Sequence, residues 1–283
     1  MPTLGIKLSP QNCTIADLRA VWRIADEAGF DHLWAFDHFA PIFSDVEGDV
    51  FEGMTLLAAM AEATSRVRIG LMVTGTTYRH PGVLAKMATT IDHLSGGRLE
   101  FGIGASGAEV EHTMLGIPFG PPAERVRRLG EALTVCRKLW TEERTSFDGR
   151  FYELTDAVAN PKPLQKPYPP IWIGGSGEQL TLRVVAEHAD VWNAIGPVDE
   201  LVRKASVLAR HCEDIGRDPA EIRRSVQPRF DASDPAAMVD QLHAYCEAGF
   251  TENIVYMPPG GDPVRAAEIA AERVLPEFAG RRS

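Results

Sequence analysis

The chain has 283 residues, 45% of them hydrophobic, and a formal net charge of −10. That length can bury a full core as one large domain or two small ones, and the acidic balance excludes the basic face that nucleic acid requires. No apolar run approaches the roughly 20 residues that span a bilayer, and MPTLGIKLSP lacks the basic-then-apolar order of a signal peptide.

Leu4 to Leu8 reads as a short strand closed by Ser9-Pro10. Thr14 caps a helix whose apolar positions Leu18, Val21, Trp22, Ala25 and Ala28 share one face, and Gly29 stops it. Phe30 to Phe36 is a second strand that delivers Asp37-His38 at its carboxyl end. A long loop leads to a helix from about Met54 to Ala63. Val67, Ile69, Leu71 and Val73 then alternate at the strand period, and Val83, Leu84, Met87, Ile91 and Leu94 follow at helical spacing. Leu99 to Ile103 begins the next strand and exits into Gly104-Ala105-Ser106-Gly107. This strand–helix–strand unit requires parallel strands and a right-handed crossover.

A loop through Gly116 to Pro122 precedes a helix from about Ala123 to Trp140. Its Glu124, Arg125, Arg127, Arg128 and Glu131 read as a solvated face. Residues 144–154 read as a hairpin turning at Asp148-Gly149, and NPKPLQKPYPP as a proline-rich connection. Ile171 to Ile173 is a buried strand that exits into Gly174-Gly175-Ser176-Gly177 before a helix from Glu178 to His188. Strands at 189–194, 222–228 and 253–257 alternate with helices at about 198–215, 235–248 and 263–278. Eight strands alternating with helices predict a closed (β/α)8 TIM barrel, an α/β fold. Residues 1–283 therefore read as one domain, with an insertion over about 144–170.

Ligands of such folds sit at the carboxyl ends of the strands. There, His38 could exchange a proton while Asp37 bonds a cofactor or orients its neighbours; equally, the pair could be a loop capped by a buried acid. The Gly174–Gly177 turn offers free amides for a phosphate, or is a tight turn only. Glu109 and Glu111 could cap the following segment or face the pocket. His80 could line the mouth or hold its loop, while His32 and His188 read as structural. No spacing resembles a metal site, and none resembles a covalent nucleophile motif. Cys13, Cys136, Cys212 and Cys246 are scattered and read as reduced thiols of a cytoplasmic protein.

FDHLWAFDHF, the segment from Arg66 to Ser106, and PPIWIGGSGEQLTLRVVAEHADVWN together resemble the bacterial luciferase-like monooxygenase superfamily. The resemblance is strongest to its coenzyme F420-dependent oxidoreductase branch. It implies hydride transfer between the deazaflavin and a small organic substrate, with FMN-dependent monooxygenase and non-catalytic flavin carrier as the alternatives. Asp37 matches the acid that contacts the deazaflavin, and His38 the proposed acid/base. Met72, Val73 and Thr74 match a bulge whose non-prolyl cis bond, here Met72–Val73, backs the ring. Gly104, Ala105 and Ser106, at the exit of the next strand, are expected on the same cofactor surface or serve close packing only, and Gly174, Gly175, Ser176 and Gly177 match the turn that contacts the cofactor phosphate. Relatives acting on glucose 6-phosphate carry a tryptophan where this chain has Ile42 and a glutamate near Gly107. A less polar substrate is expected, with Glu109, or else Glu111, replacing the missing acid. No metal is expected, and the resemblance implies a homodimer.

Overall fold

The computed structural model describes residues 2–42 and 44–279. In chain order the elements are β1 (Thr3–Leu8), α1 (Ile15–Ala28), β2 (His32–Ala35), α2 (Gly53–Ala63), β3 (Arg68–Leu71), β4 (Thr74–Gly75), α3 (Pro81–Leu94) and β5 (Leu99–Gly104). Next come α4 (Glu109–Leu115), α5 (Pro122–Thr141), β6 (Thr145–Asp148), β7 (Glu153–Ala157), β8 (Ile171–Gly174) and α6 (Thr181–His188). The chain continues with β9 (Val191–Ala194), α7 (Val198–Asp214), β10 (Arg223–Val226), α8 (Pro235–Glu247), β11 (Glu252–Met257), α9 (Pro263–Ile269) and α10 (Pro276–Ala279).

Strands β3, β2, β1, β11, β10, β9, β8 and β5 are hydrogen-bonded in that order, all parallel, and β3 also pairs with β5. The sheet therefore closes into an eight-stave barrel. Six residues of β1 pair in register with β11, from Thr3 opposite Glu252 to Leu8 opposite Met257. The third stave is interrupted: β3 ends at Leu71, the Met72–Val73 bond is cis, and β4 resumes pairing with Thr74 opposite Ile103. Strands β6 and β7 form the separate antiparallel hairpin.

Two apolar layers hold the barrel. Inside it, Trp34, Met72, Trp172, Val191 and Ile254 form one buried cluster, with the two indoles edge to face at 4.6 Å. A larger core lies between the outward strand faces and the helices. Close approach dictates two glycines. A Cβ on Gly70 would lie 2.4 Å from the Trp34 ring, and one on Gly102 would lie 1.9 Å from the Leu71 carbonyl oxygen.

Three boundaries depart from the periodicity. The loop expected after Gly107 contains α4, which ends at Gly116 with a φ of 67°. Helix α6 begins at Thr181 rather than Glu178, because Gly175 takes a φ of 124° and residues 178–180 form a turn. The last helix is divided by a π-helical turn over Ala270–Val274. Among the described residues, no helix is long and apolar enough to cross a membrane.

Candidate active site

A cavity of about 790 Å³ opens at the carboxyl ends of the staves. Lys7 from β1, His38 beyond β2, Val73 from the bulge, Ser106 beyond β5 and Gly175 beyond β8 all line it. A smaller extension of about 260 Å³ continues past Gly174, Ser176 and Asn193.

Asp37 lies wholly buried at the base of the loop that carries His38. Its Oδ2 accepts from Arg79 Nη1 at 2.5 Å and from Thr74 Oγ1 at 2.5 Å, while Oδ1 accepts from Arg79 Nη2 at 3.0 Å. Arg79 also pairs with Glu52, which caps α2 by accepting from the amides of Met54 and Thr55. Burial alone would lower the Arg79 guanidinium; Asp37 and Glu52 outweigh it and hold its pKa above the usual value. Asp37 therefore ties the loop after β2 to β4 and to the start of α3. Thr74 is buried in this network, outside the residues that line the cavity.

His38 donates from Nδ1 to Glu111 Oε1 at 2.8 Å. Glu111 is fully buried and also accepts from the Phe39 amide at 2.7 Å and from the Tyr78 hydroxyl. Burial pushes the Glu111 carboxyl up, but the bonds from His38, Tyr78 and Phe39 overcome it and hold the pKa below the ordinary value. Tyr78 shifts upward, through burial and then through the Glu111 hydrogen bond and charge. At neutral pH the arrangement is a carboxylate receiving three donors. It fixes the Nδ1–H tautomer and leaves Nε2 of His38 with no hydrogen-bond partner among the described residues.

Glu109 does not take this place. It is exposed on α4, and Glu111 is the buried carboxylate, because residues two apart on a helix point to different faces. Neither glutamate caps α4 by a side-chain bond; the cap residue is Ala108.

The loops after β4 and β5 are laced together. His112 Nδ1 donates to the Ala108 carbonyl at 2.6 Å, so its Nε2 accepts from Thr77 Oγ1 at 2.6 Å. Thr77 Oγ1 in turn lies 2.6 Å from Ser106 Oγ. Arg125 reaches the Ala105 and Ser106 carbonyls from Nε at 3.2 and 3.3 Å, and stacks 3.7 Å from the Phe119 centroid. The arginines of α5 are thus not merely a solvated face: Arg125 clamps the site loop, and Arg128 lies over the Phe151 and Tyr152 rings between β6 and β7.

Val73 stands between two glycines. A Cβ on Gly104 would lie 2.8 Å from Val73 Cγ2, and one on Gly174 would lie 3.1 Å from Val73 Cγ1. Met72, Val73, Gly104, Ala105, Ser106, Gly174 and Gly175 all line the main cavity. Ser176 lines the extension and accepts from Lys204 Nζ at 3.1 Å, whereas Gly177 lines neither part and gives its carbonyl to Leu182 N.

His80, His32 and His188 lie outside the residues that line the cavity. His80 caps α3 by accepting from Gly82 N at 3.1 Å. His32 is buried 3.4 Å from Glu252 and packs against Trp34 and Trp172. Burial, with Arg137 and Arg217 nearby, lowers His188 to about 4.

A profile described as luciferase-like monooxygenase matches residues 3–274 of the chain. The chain belongs to the luciferase-like monooxygenase family. Among its luciferase-like relatives, an F420-dependent glucose-6-phosphate dehydrogenase of Kineococcus radiotolerans is 30% identical over 283 residues, covering 98% of this chain and 82% of that one. An F420-dependent hydroxymycolic acid dehydrogenase of Mycobacterium tuberculosis is 29% identical, covering 98% of this chain and 75% of that one. The solved F420-dependent secondary alcohol dehydrogenase in complex with an F420-acetone adduct shares the luciferase-like fold. It superposes with a TM-score of 0.86 at 19% identity over 98% of this chain and 99% of that one.

Proposed function

We propose that this chain is a coenzyme F420-dependent oxidoreductase that moves a hydride between C5 of the deazaflavin and a small organic substrate. The observation that carries the reading is the carboxylate-held imidazole of His38 in the cavity walled by the Met72–Val73 bulge. F420-dependent relatives that cover nearly the whole chain support it.

The residues present fit a tricyclic cofactor. The cavity volume of about 790 Å³ falls in the range of ligand pockets, and Gly104 and Gly174 leave Val73 to form the wall without competing side chains. Gly174 to Ser176, with Lys204 beside Ser176, would hold its phosphate-bearing tail. When bound, the deazaflavin supplies two-electron hydride exchange.

The chain handles the proton. With Glu111 ionised and Nδ1 protonated, Nε2 of His38 accepts a proton from a substrate hydroxyl, and the imidazolium returns one in the reverse direction. The Glu111 carboxylate stabilises that imidazolium. Pro41, Ile42, Val46 and Val110 give the mouth an apolar side, which favours an alcohol or carbonyl compound with an apolar body over a sugar phosphate.

Anaerobic titration with F420, followed by a panel of alcohols and carbonyl compounds, tests the reading. The expected result is F420 binding and turnover, with His38→Ala losing turnover by about 10²–10⁴-fold while cofactor affinity is retained. FMN binding with NADH-driven oxygen consumption and no F420 binding overturns it, as does F420 binding without turnover across the panel.

A further inference from the structure

Lys7 lies near the carboxyl end of β1, is 8% exposed, and lines the same cavity as His38. Its Nζ donates to Gln227 Oε1 at 2.8 Å and sits 4.9 Å from the centroid of the Tyr256 ring. Gln227 is held in that orientation, since its Nε2 donates to Asn193 Oδ1 at 2.7 Å. Asn193 Nδ2 then donates to Ser225 Oγ at 2.9 Å, and both of these residues are buried. Two layers of polar side chains therefore position one amide oxygen for one ammonium group.

Among the described residues, no carboxylate forms an ion pair with Lys7; its polar contacts are the Gln227 oxygen and the Tyr256 ring face. An ammonium carries three donors, so two remain for whatever enters the cavity. A buried cation without a counter-charge is costly, and burial lowers Lys7 to about 7. Of the residues packed against it, Trp34 on β2 and Gln227 do not titrate, and burial raises the Tyr256 phenol. Asp37, His38 and Tyr78 are the other titratable side chains that line this cavity, and burial and Glu111 raise the Tyr78 phenol. Lys204, by contrast, is answered by Glu200 at 2.6 Å.

We propose that the Lys7 end of the cavity is a subsite for an electronegative oxygen, a carbonyl, enolate or carboxylate oxygen, of the bound molecule. Lys7 donates to that oxygen as an ammonium and Gln227 aims it. The proposal deepens the deazaflavin reading, because the oxygen belongs either to the cofactor ring or to the substrate.

Fluorescence titration of F420 into wild type, Lys7→Met and Lys7→Arg at pH 6, 7 and 8 decides between the sources, with thermal melts to establish folding. If the oxygen is the cofactor's, Lys7→Met binds F420 about tenfold or more weakly at pH 6. Wild-type affinity then falls about tenfold from pH 6 to pH 8 as the ammonium is lost, the Lys7→Met affinity is flat, and Lys7→Arg recovers part of the loss. If the oxygen is the substrate's, F420 binds both proteins alike, and acetate or acetone binds the F420-loaded wild type about tenfold more tightly than loaded Lys7→Met. Equal F420, acetate and acetone affinities in both proteins overturn the proposal. Should Lys7→Met not fold, wild-type F420 and acetate affinities that are both flat from pH 6 to 8 overturn it. Failure of wild type to bind F420 sinks the cofactor reading instead, and acetate titration of the cofactor-free protein then decides the subsite alone.

Discussion

Glu111 meets Nδ1 of His38 at 2.8 Å across 73 positions of sequence. Replacing it with glutamine keeps the shape but removes the charge that stabilises an imidazolium. We expect Glu111→Gln to lower kcat by about 10–100-fold, the range seen when an outer partner of a functional histidine is lost, with F420 affinity unchanged. The stoichiometry of F420 binding separates this from a structural defect: the variant keeps the full number of sites, whereas a misfolded fraction lowers it.

The Asp37–Arg79 pair is the most deeply placed charge pair at the site. Arg79→Ala leaves the fully buried Asp37 carboxylate without its guanidinium, and the expected loss of stability is about 3–5 kcal/mol. Adding Asp37→Asn to that background removes the stranded charge and recovers part of the loss. Urea unfolding of the two single variants and the double variant gives the coupling; additive losses refute it.

Gly104→Ala drives a methyl group to 2.8 Å from Val73 Cγ2. Overpacking of this kind costs about 1–3 kcal/mol. Because Val73 forms the cavity wall, F420 affinity should fall with it. A variant as stable as wild type and equally tight for F420 shows that the wall has room to give.

Acid lability is expected from Glu252. Burial pushes its carboxyl up, but bonds from His32, Arg223 and Thr3 outweigh that and hold it at about 2. A depressed carboxylate contributes stability that is complete above the unfolded value of about 4.5 and is lost as pH falls through about 2. Glu252→Gln should flatten stability between those limits, leaving the share of Asp26, which the amides of residues 65–67 also hold at about 2. Unfolding free energies from pH 7 to pH 2.5 check this; parallel curves for the two proteins contradict it.

The barrel was legible because its rhythm is local. Each stave and its helix declare themselves within about 30 residues, and Gly29, Gly96 and Gly97 punctuate them at positive φ. The cis bond at Met72–Val73 came from family resemblance, since no period signals it. The meeting of Glu111 with His38 was hidden for a physical reason. Helix α4 has seven residues, too few to display a period, and its inward face is defined only by a loop far away in sequence. Lys7 reads as one strand residue among several; only closure of β1 against β11 puts it over the Tyr256 ring. Arg125 shows the same limit, because its i,i+4 neighbours suggest solvent while Phe119 and the carbonyls of Ala105, Ser106 and Gly120 hold it.

The acid that sets the tautomer of His38 is borne by α4, a short appendage outside the barrel wall, while the imidazole is carried on the loop that leaves β2. Closure and reactivity are thus encoded in separable stretches of the gene. Drift within residues 105–120 can retune the proton affinity of the centre while every stave-to-stave register survives, so related barrels can diversify their chemistry by exchanging one small cassette.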